Sequence, residues 1–169
     1  MSLAGIASMT SAFERGDLDE AARQGALAGP VVVERALASA TRATQLAAIV
    51  AAPAVEDRAE LLPALARVAG GPDRRTAIPA ARAARTIARE LAKQGLPDDL
   101  APGDLDDWRA AFETIARGHD HFVEVRVIAL DTASALAHVV DPSALGFDRD
   151  AFAKDPDPAL RTEAAALVP

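Results

Sequence analysis

The chain has no cysteine and no tyrosine, and only one tryptophan and five phenylalanines among its 169 residues. Without cysteine there is no disulfide framework, thiolate zinc site, iron–sulfur cluster or cysteine nucleophile. β-Branched and aromatic residues are few, which argues against a sandwich or barrel. Positive charge is also short. Eighteen Lys and Arg face 25 Asp and Glu, a formal net charge of −7, whereas a general nucleic-acid binder needs a basic footprint. No apolar run approaches the roughly 18 residues of a membrane span. The longest, Leu46–Val55, is short, Ala-rich and interrupted by Pro53. Met1 to Ile6 carry no basic segment, so no signal peptide is expected.

Alanine dominates what is present. It supplies 42 residues, one in four, and it is the best helix former because it loses no side-chain entropy on folding. Arginine outnumbers lysine 16 to 2, a bias that fits a GC-rich bacterial genome, and a cytoplasmic bacterial protein is the default expectation. The length fits one domain that buries about two-thirds of its surface.

Punctuation predicts an all-α chain. Leu3–Arg15 ends at Gly16, and Leu18–Ala28 follows behind Asp17 as N-cap and stops at Gly29-Pro30. Val31–Val50 forms one helix or two about the weak break Ser39-Ala40-Thr41. Glu56–Ala69 carries Leu61, Leu62, Leu65 and Val68 on one helical stripe. Gly70-Gly71-Pro72-Asp73 is a turn whose Asp73 caps Arg74–Gln94. An extended loop is expected over 96–107, then helices Trp108–Arg117 and Phe122–Val140, a short turn at Asp148–Phe152, and a last helix from Pro158 to Leu167. Pro158 suits a first helical position.

Arginines near helix starts recur at 35, 75, 126 and 161, spaced 40, 51 and 35. The intervals bracket the about 40–47 residues of HEAT and armadillo units, the loop over 96–107 absorbing the longest. In the segment Lys154 to Ala165, Asp155 precedes Arg161 by six residues, Leu160 stands directly before it and Ala164 three after. Asp120, Val125, Arg126 and Ala129 repeat that pattern. These residues resemble the HEAT and HEAT-like repeats, in which a helix, an Asp-containing turn and a second helix opening on an apolar residue and Arg form one unit. Pro63 matches a proline frequent in the first helix of the family. The 75 unit departs at Gly71 and Arg74, and the 35 unit has Gly29 where Asp is expected. The resemblance implies a right-handed α-α superhelix of about four helix pairs in a single domain, 1–169. Residues 1–29 would be capping helices and 30–167 degenerate repeats. Asp120 and Asp155 would accept turn amides, and Arg126 and Arg161 would pair with an acid of a neighbouring repeat.

Little points to reaction chemistry. His119-Asp120-His121 lies in a turn without a second ligand pair, so it reads as a polar turn rather than a metal site. His138 reads as a packed or rim residue of an apolar helix. Asp98, Asp99, Asp104, Asp106 and Asp107 lack the spacing of an EF-hand, and Asp104, Asp106 and Asp107 are expected to serve a helix N-terminus. No dinucleotide-binding glycine motif, P-loop or nucleophile elbow occurs. No cofactor, metal or catalytic residue is expected.

The sharper feature is charge on the 74–94 helix. Arg75, Arg82, Arg85 and Arg89 fall at i, i+7, i+10 and i+14, one face. The second helix of each repeat lines a concave surface, so this stripe, with Trp108, is a candidate surface for a protein partner of acidic character; the plain alternative is a solvated face. Phe112 shares the Trp108 side of its helix. The expected function is a non-catalytic protein–protein interaction scaffold, without nucleic acid or membrane. HEAT-like relatives include bilin lyases and DNA glycosylases, disfavoured here by the missing Cys and Tyr and by the negative charge. At least one end of the chain, the first helix with Leu3, Ile6 and Met9 or the last with Leu160, Leu167 and Val168, is expected to leave an apolar edge that a partner, a second copy or further residues cover, the C-terminal end being favoured.

Overall fold

The computed structural model of the protein describes residues 3–97 and 100–167. Among them there are ten α-helices and no strand: α1 (Leu3–Glu14), α2 (Leu18–Ala28), α3 (Pro30–Leu37), α4 (Arg42–Ala51), α5 (Leu62–Ala69), α6 (Arg74–Gln94), α7 (Pro102–Arg117), α8 (Val123–Val140), α9 (Arg149–Ala153) and α10 (Pro158–Ala166). The chain is all-α.

Local chemistry explains most boundaries. The Asp17 carboxylate accepts the Glu20 amide ahead of α2, and Asp73 accepts the Arg75 amide ahead of α6. The weak break between α3 and α4 is real: Gln45 turns its side-chain amide onto the Leu37 carbonyl at 2.8 Å, satisfying an acceptor that a continuous helix would have bonded.

Three expectations are corrected. The helix expected from Glu56 becomes a 3-10 turn over Arg58–Leu61, with α5 starting at Leu62. Pro63 falls in the first turn of this helix, where its missing amide breaks no intrahelical bond. The helix expected from Trp108 starts at Pro102, where a missing amide costs nothing. The loop is thus shorter than 96–107; Asp104 stands in the first turn of α7, at the helix N-terminus as expected, while Asp106 and Asp107 lie further inside it, and Asp98 and Asp99 lie outside the described residues. Finally, Arg35 lies in α3 and not at the start of a second helix, a place that Arg42 takes at the head of α4.

Consecutive helices pack in pairs, α1 on α2, α3 on α4, α5 on α6, α7 on α8 and α9 on α10. The even helices also touch one another: α4 packs on α6, α6 on α8 and α8 on α10. On the other side α5 packs on α7. Helix α8 is buried nearly all round from Val125 to Leu136, the pattern of a helix enclosed by neighbours. Helix packing here is close because the contacts are alanines. A Cβ built on Gly25 of α2 would stand 2.2 Å from the Ala51 Cβ of α4. Gly146, at φ +73°, lets the loop after α8 lie on the Ala133 carbonyl.

The C-terminal edge differs from expectation. Leu160 is fully buried and Leu167 partly so, because α10 packs on both α8 and α9; Val168 lies outside the described residues. The large exposed apolar side chains gather instead where α1 begins beside the α2–α3 junction, with Leu3, Leu27 and Val31 at 79, 72 and 69% exposure. No helix among the described residues is long and apolar enough to cross a membrane.

The Gly25 contact is open to test. Gly25→Ala gains helix propensity of about 1 kcal/mol, yet it should lower stability in denaturant melts by about 1–3 kcal/mol because the packed backbones must separate. Unchanged or raised stability would show that α2 and α4 have room.

Candidate binding face

The N-terminal ends of the even helices are laced by ion pairs. Arg42, first residue of α4, donates to Asp73, the N-cap of α6, at 2.8 Å. Arg74, first residue of α6, donates to Glu124 in the first turn of α8. Arg126 in α8 donates to Asp155, ahead of α10, at 2.6 Å. Each step joins one helix pair to the next and requires the even helices to run in one direction. The first two pairs are exposed and contribute little energy. The Arg75 amide, and then Arg42, hold the Asp73 carboxyl below its ordinary range.

The third pair is different in kind. Arg126 and Asp155 are 4% and 7% exposed. The Arg126 Nε donates to the Ala116 carbonyl at 2.8 Å, and the Asp155 carboxylate also accepts the Asp157 amide at 2.9 Å. Burial pushes the Asp155 carboxyl up, but the Asp157 amide and the Arg126 guanidinium outweigh it and hold the group below the usual carboxylate range. Two expected repeat contacts are placed otherwise. Arg161 meets no acid of another helix pair; it donates to the Asp155 and Pro156 carbonyls at 2.7 and 3.0 Å, within its own turn. Asp120 is exposed and accepts no turn amide, since the Gly118 carbonyl takes the His121 amide.

The arginines of α6 divide into two sets. Arg75 and Arg82 are exposed and form no ion pair among the described residues. Arg89 donates through Nη2 to Asp131 of α8 at 2.6 Å, and the Arg85 guanidinium lies 3.7 Å from the same carboxylate. Asp131 is only 6% exposed, so a buried charge draws half of the stripe onto the protein itself. Glu163 of α10 completes the cluster. Burial, and then the negative charge of Asp131, push its carboxyl up, with Arg89 and Arg85 pulling the other way. Asp131 was missed from sequence because it falls amid the apolar run of α8; the available signal was an acid inside a helix that is otherwise apolar on every side. Ser134 and His138 follow Asp131 at i+3 and i+7 of α8, and the Ser134 Oγ and His138 Nε2 are buried without a hydrogen-bond partner.

Trp108 is not part of this face. It lies on α7, partly buried against α5, while Phe112 one turn on is fully buried. Asp106 pairs with Arg109 instead of capping. His119 and Asp120 are exposed, and no group of three or more His, Asp or Glu among the described residues is placed to hold a metal ion. A cavity of about 430 Å³ between α7, α8 and the 141–148 loop is charged, but its groups serve one another: Glu113 accepts from Arg117 at 2.7 Å and from the Asp148 amide at 3.3 Å, and Arg109 donates to the Gly146 carbonyl at 3.2 Å.

No family model, no curated protein and no solved structure matches this chain.

Two stability outcomes follow from these clusters. Asp155→Ala strands a buried guanidinium and should cost about 3–5 kcal/mol, a fall in melting temperature of roughly 10 °C. Arg126→Met combined with Asp155→Ala should cost less than the single acid change; an equal or greater loss would deny that stranded charge is the cause. For Glu163 the sign is opposite. Its folded carboxyl holds the proton more tightly than the unfolded one, so its contribution is present at acid pH and is lost as pH rises through the raised value. Glu163→Gln should therefore melt higher than wild type at neutral pH, with the gap closing below the ordinary Glu range near about 4.3. A lower melting temperature at neutral pH would mean that its attraction to Arg85 and Arg89 dominates.

Proposed function

We propose that the chain is a non-catalytic protein-interaction scaffold, a HEAT-like solenoid whose even helices form one face and bind an acidic protein segment. The observation that carries this reading is the row of even helices. Paired helices follow one another, and Arg42–Asp73, Arg74–Glu124 and Arg126–Asp155 tie the last four of the five pairs in succession at the same end. Units joined only to their neighbours make an elongated surface without a central pocket, which is what repeat scaffolds use.

The charge on that row supports the character of the partner. In a chain of net charge −7, Arg75 and Arg82 are exposed cations without a close ion pair among the described residues, though Arg75 stands two residues from Asp73, and Arg89 stays half exposed while Asp131 fixes its direction. A guanidinium held in place loses less freedom when it meets a carboxylate than a mobile one does. Charges of this kind steer encounter and set specificity more than raw affinity.

The structure also decides which residues test the idea. Arg89→Glu would set a second carboxylate against the buried Asp131, confusing lost binding with lost folding. Arg75→Glu with Arg82→Glu breaks no ion pair and no buried contact among the described residues; its nearest consequence is a second negative charge beside the partly exposed Asp73. Against a fluorescently labelled oligo-glutamate peptide, this double variant should bind at least about tenfold more weakly while its melting temperature shifts by no more than about 2 °C. Binding of the wild type should weaken with added salt. Equal binding by wild type and a folded variant overturns the reading.

A further inference from the structure

A second surface lies on α5 and α7 and shares no residue with the arginine face. The two helices run side by side in the same direction, since Gly70, at the end of α5, lies near Ile115 and His121 at the end of α7. Where they face each other the side chains are small, Ala66 and Ala111. The helices therefore leave a groove of about 560 Å³ lined by Leu62, Ala66, Trp108, Ala111 and Ile115. Trp108 and Ala111 remain partly open to solvent, so apolar surface is on offer without a cover from this chain.

The charge around the groove is one-sided. Asp107 stands on its rim and Asp104 lies one turn earlier on α7; both are exposed and neither carboxylate forms an ion pair among the described residues. At the other end Arg67 is already matched by Glu34 at 3.3 Å. The unbalanced charge is negative and sits beside the tryptophan.

We propose that this groove docks an amphipathic helix of a protein partner, one whose apolar stripe is flanked by Lys or Arg. The wall from Trp108 to Ile115 spans about 10 Å at 1.5 Å per residue. That accommodates two turns of a visiting helix, with anchors at i, i+3 or i+4, and i+7. The basic residues would meet Asp104 and Asp107. In a second copy of this chain α6, its arginine-rich helix, is not such a segment, because it already buries its apolar side through Ala77, Ala84, Ile87 and Leu91. The proposal goes beyond the arginine face and rests on other residues, so either can fail while the other stands.

Trp108 reports directly on the groove, being the only tryptophan in a chain without tyrosine. The probe is an amphipathic Leu/Lys peptide of about 14 residues, near the length at which isolated helices become marginally stable, with a Leu/Glu peptide of the same pattern beside it. Titration with Leu/Lys should move the Trp108 emission to the blue and saturate. Asp104→Asn with Asp107→Asn should weaken binding about fivefold. Glu14→Gln with Asp19→Asn, which removes the same charge elsewhere, should leave affinity unchanged. Ala111→Arg should abolish the shift by filling the groove; should it fail to fold, the exposed Asp104/Asp107 pair still decides. The proposal is overturned by any of four results: no shift, equal binding of Leu/Glu, equal weakening by both acid pairs, or a shift that follows protein concentration without peptide, which would name a second copy as the occupant.

Discussion

Arg126 adds a buried polar link between helices that already pack on one another. It starts in the first turn of α8, reaches back through Nε to the last carbonyls of α7, and reaches forward to the carboxylate of Asp155 ahead of α10. Asp155 in turn accepts the amide of Asp157, the N-cap of α10, and its carbonyl receives Arg161. Four segments therefore meet on one buried ion pair. Burying two charges is favourable only when every donor and acceptor is matched, and the matching fixes the register of α10 against α8. The position of Glu163 over Asp131, and with it the composition of the arginine face, depends on that register.

Alanine sets the rest of the geometry. With 42 alanines and few large side chains, the helices gain stability by lying close rather than by interlocking bulky groups, and Gly25 against Ala51 marks the limit of that approach. Close packing of thin helices has a second result. Where small residues line the junction of two helices without a third layer, as Ala66 of α5 and Ala111 of α7 do, the surface is hollow and apolar instead of filled. Helix economy inside the core and a groove outside it thus have the same cause, and a larger residue at either position would remove the groove.

Helix content and most boundaries were legible from the residues. Asp17, Asp73 and Pro158 mark the starts they were expected to mark, and Gly95 ends α6. The errors have local causes. Pro63 and Pro102 both stand in first turns, of helices that start later and earlier than periodicity indicated, where proline's missing amide breaks no intrahelical bond; α6 carries Pro79 in its interior all the same. Placing an arginine at the head of α4 failed at Arg35 and succeeds at Arg42, since a break as weak as Ser39-Ala40-Thr41 gives no signal strong enough to shift the register. The site was legible in part. Spacing alone put Arg75, Arg82, Arg85 and Arg89 on one face, but it carries no information about Asp131, which reaches that face from another helix.

The two surfaces differ in a way that bears on how a single chain would discriminate partners. The arginine face is cationic and is braced by a buried carboxylate; the α5–α7 groove is apolar and rimmed by acids. On the proposed reading, acidic segments would be drawn to the first and repelled by the second, and basic amphipathic segments would behave the other way. Opposite charges at separate places therefore supply attraction and rejection together, which is what specificity requires beyond affinity. The net charge of −7 biases the molecule as a whole toward basic partners. On the proposed reading, an acidic partner would be held at the face where Arg75 and Arg82 form no close ion pair among the described residues, and recognition would turn on those two residues more than on Arg85 and Arg89, which Asp131 already engages.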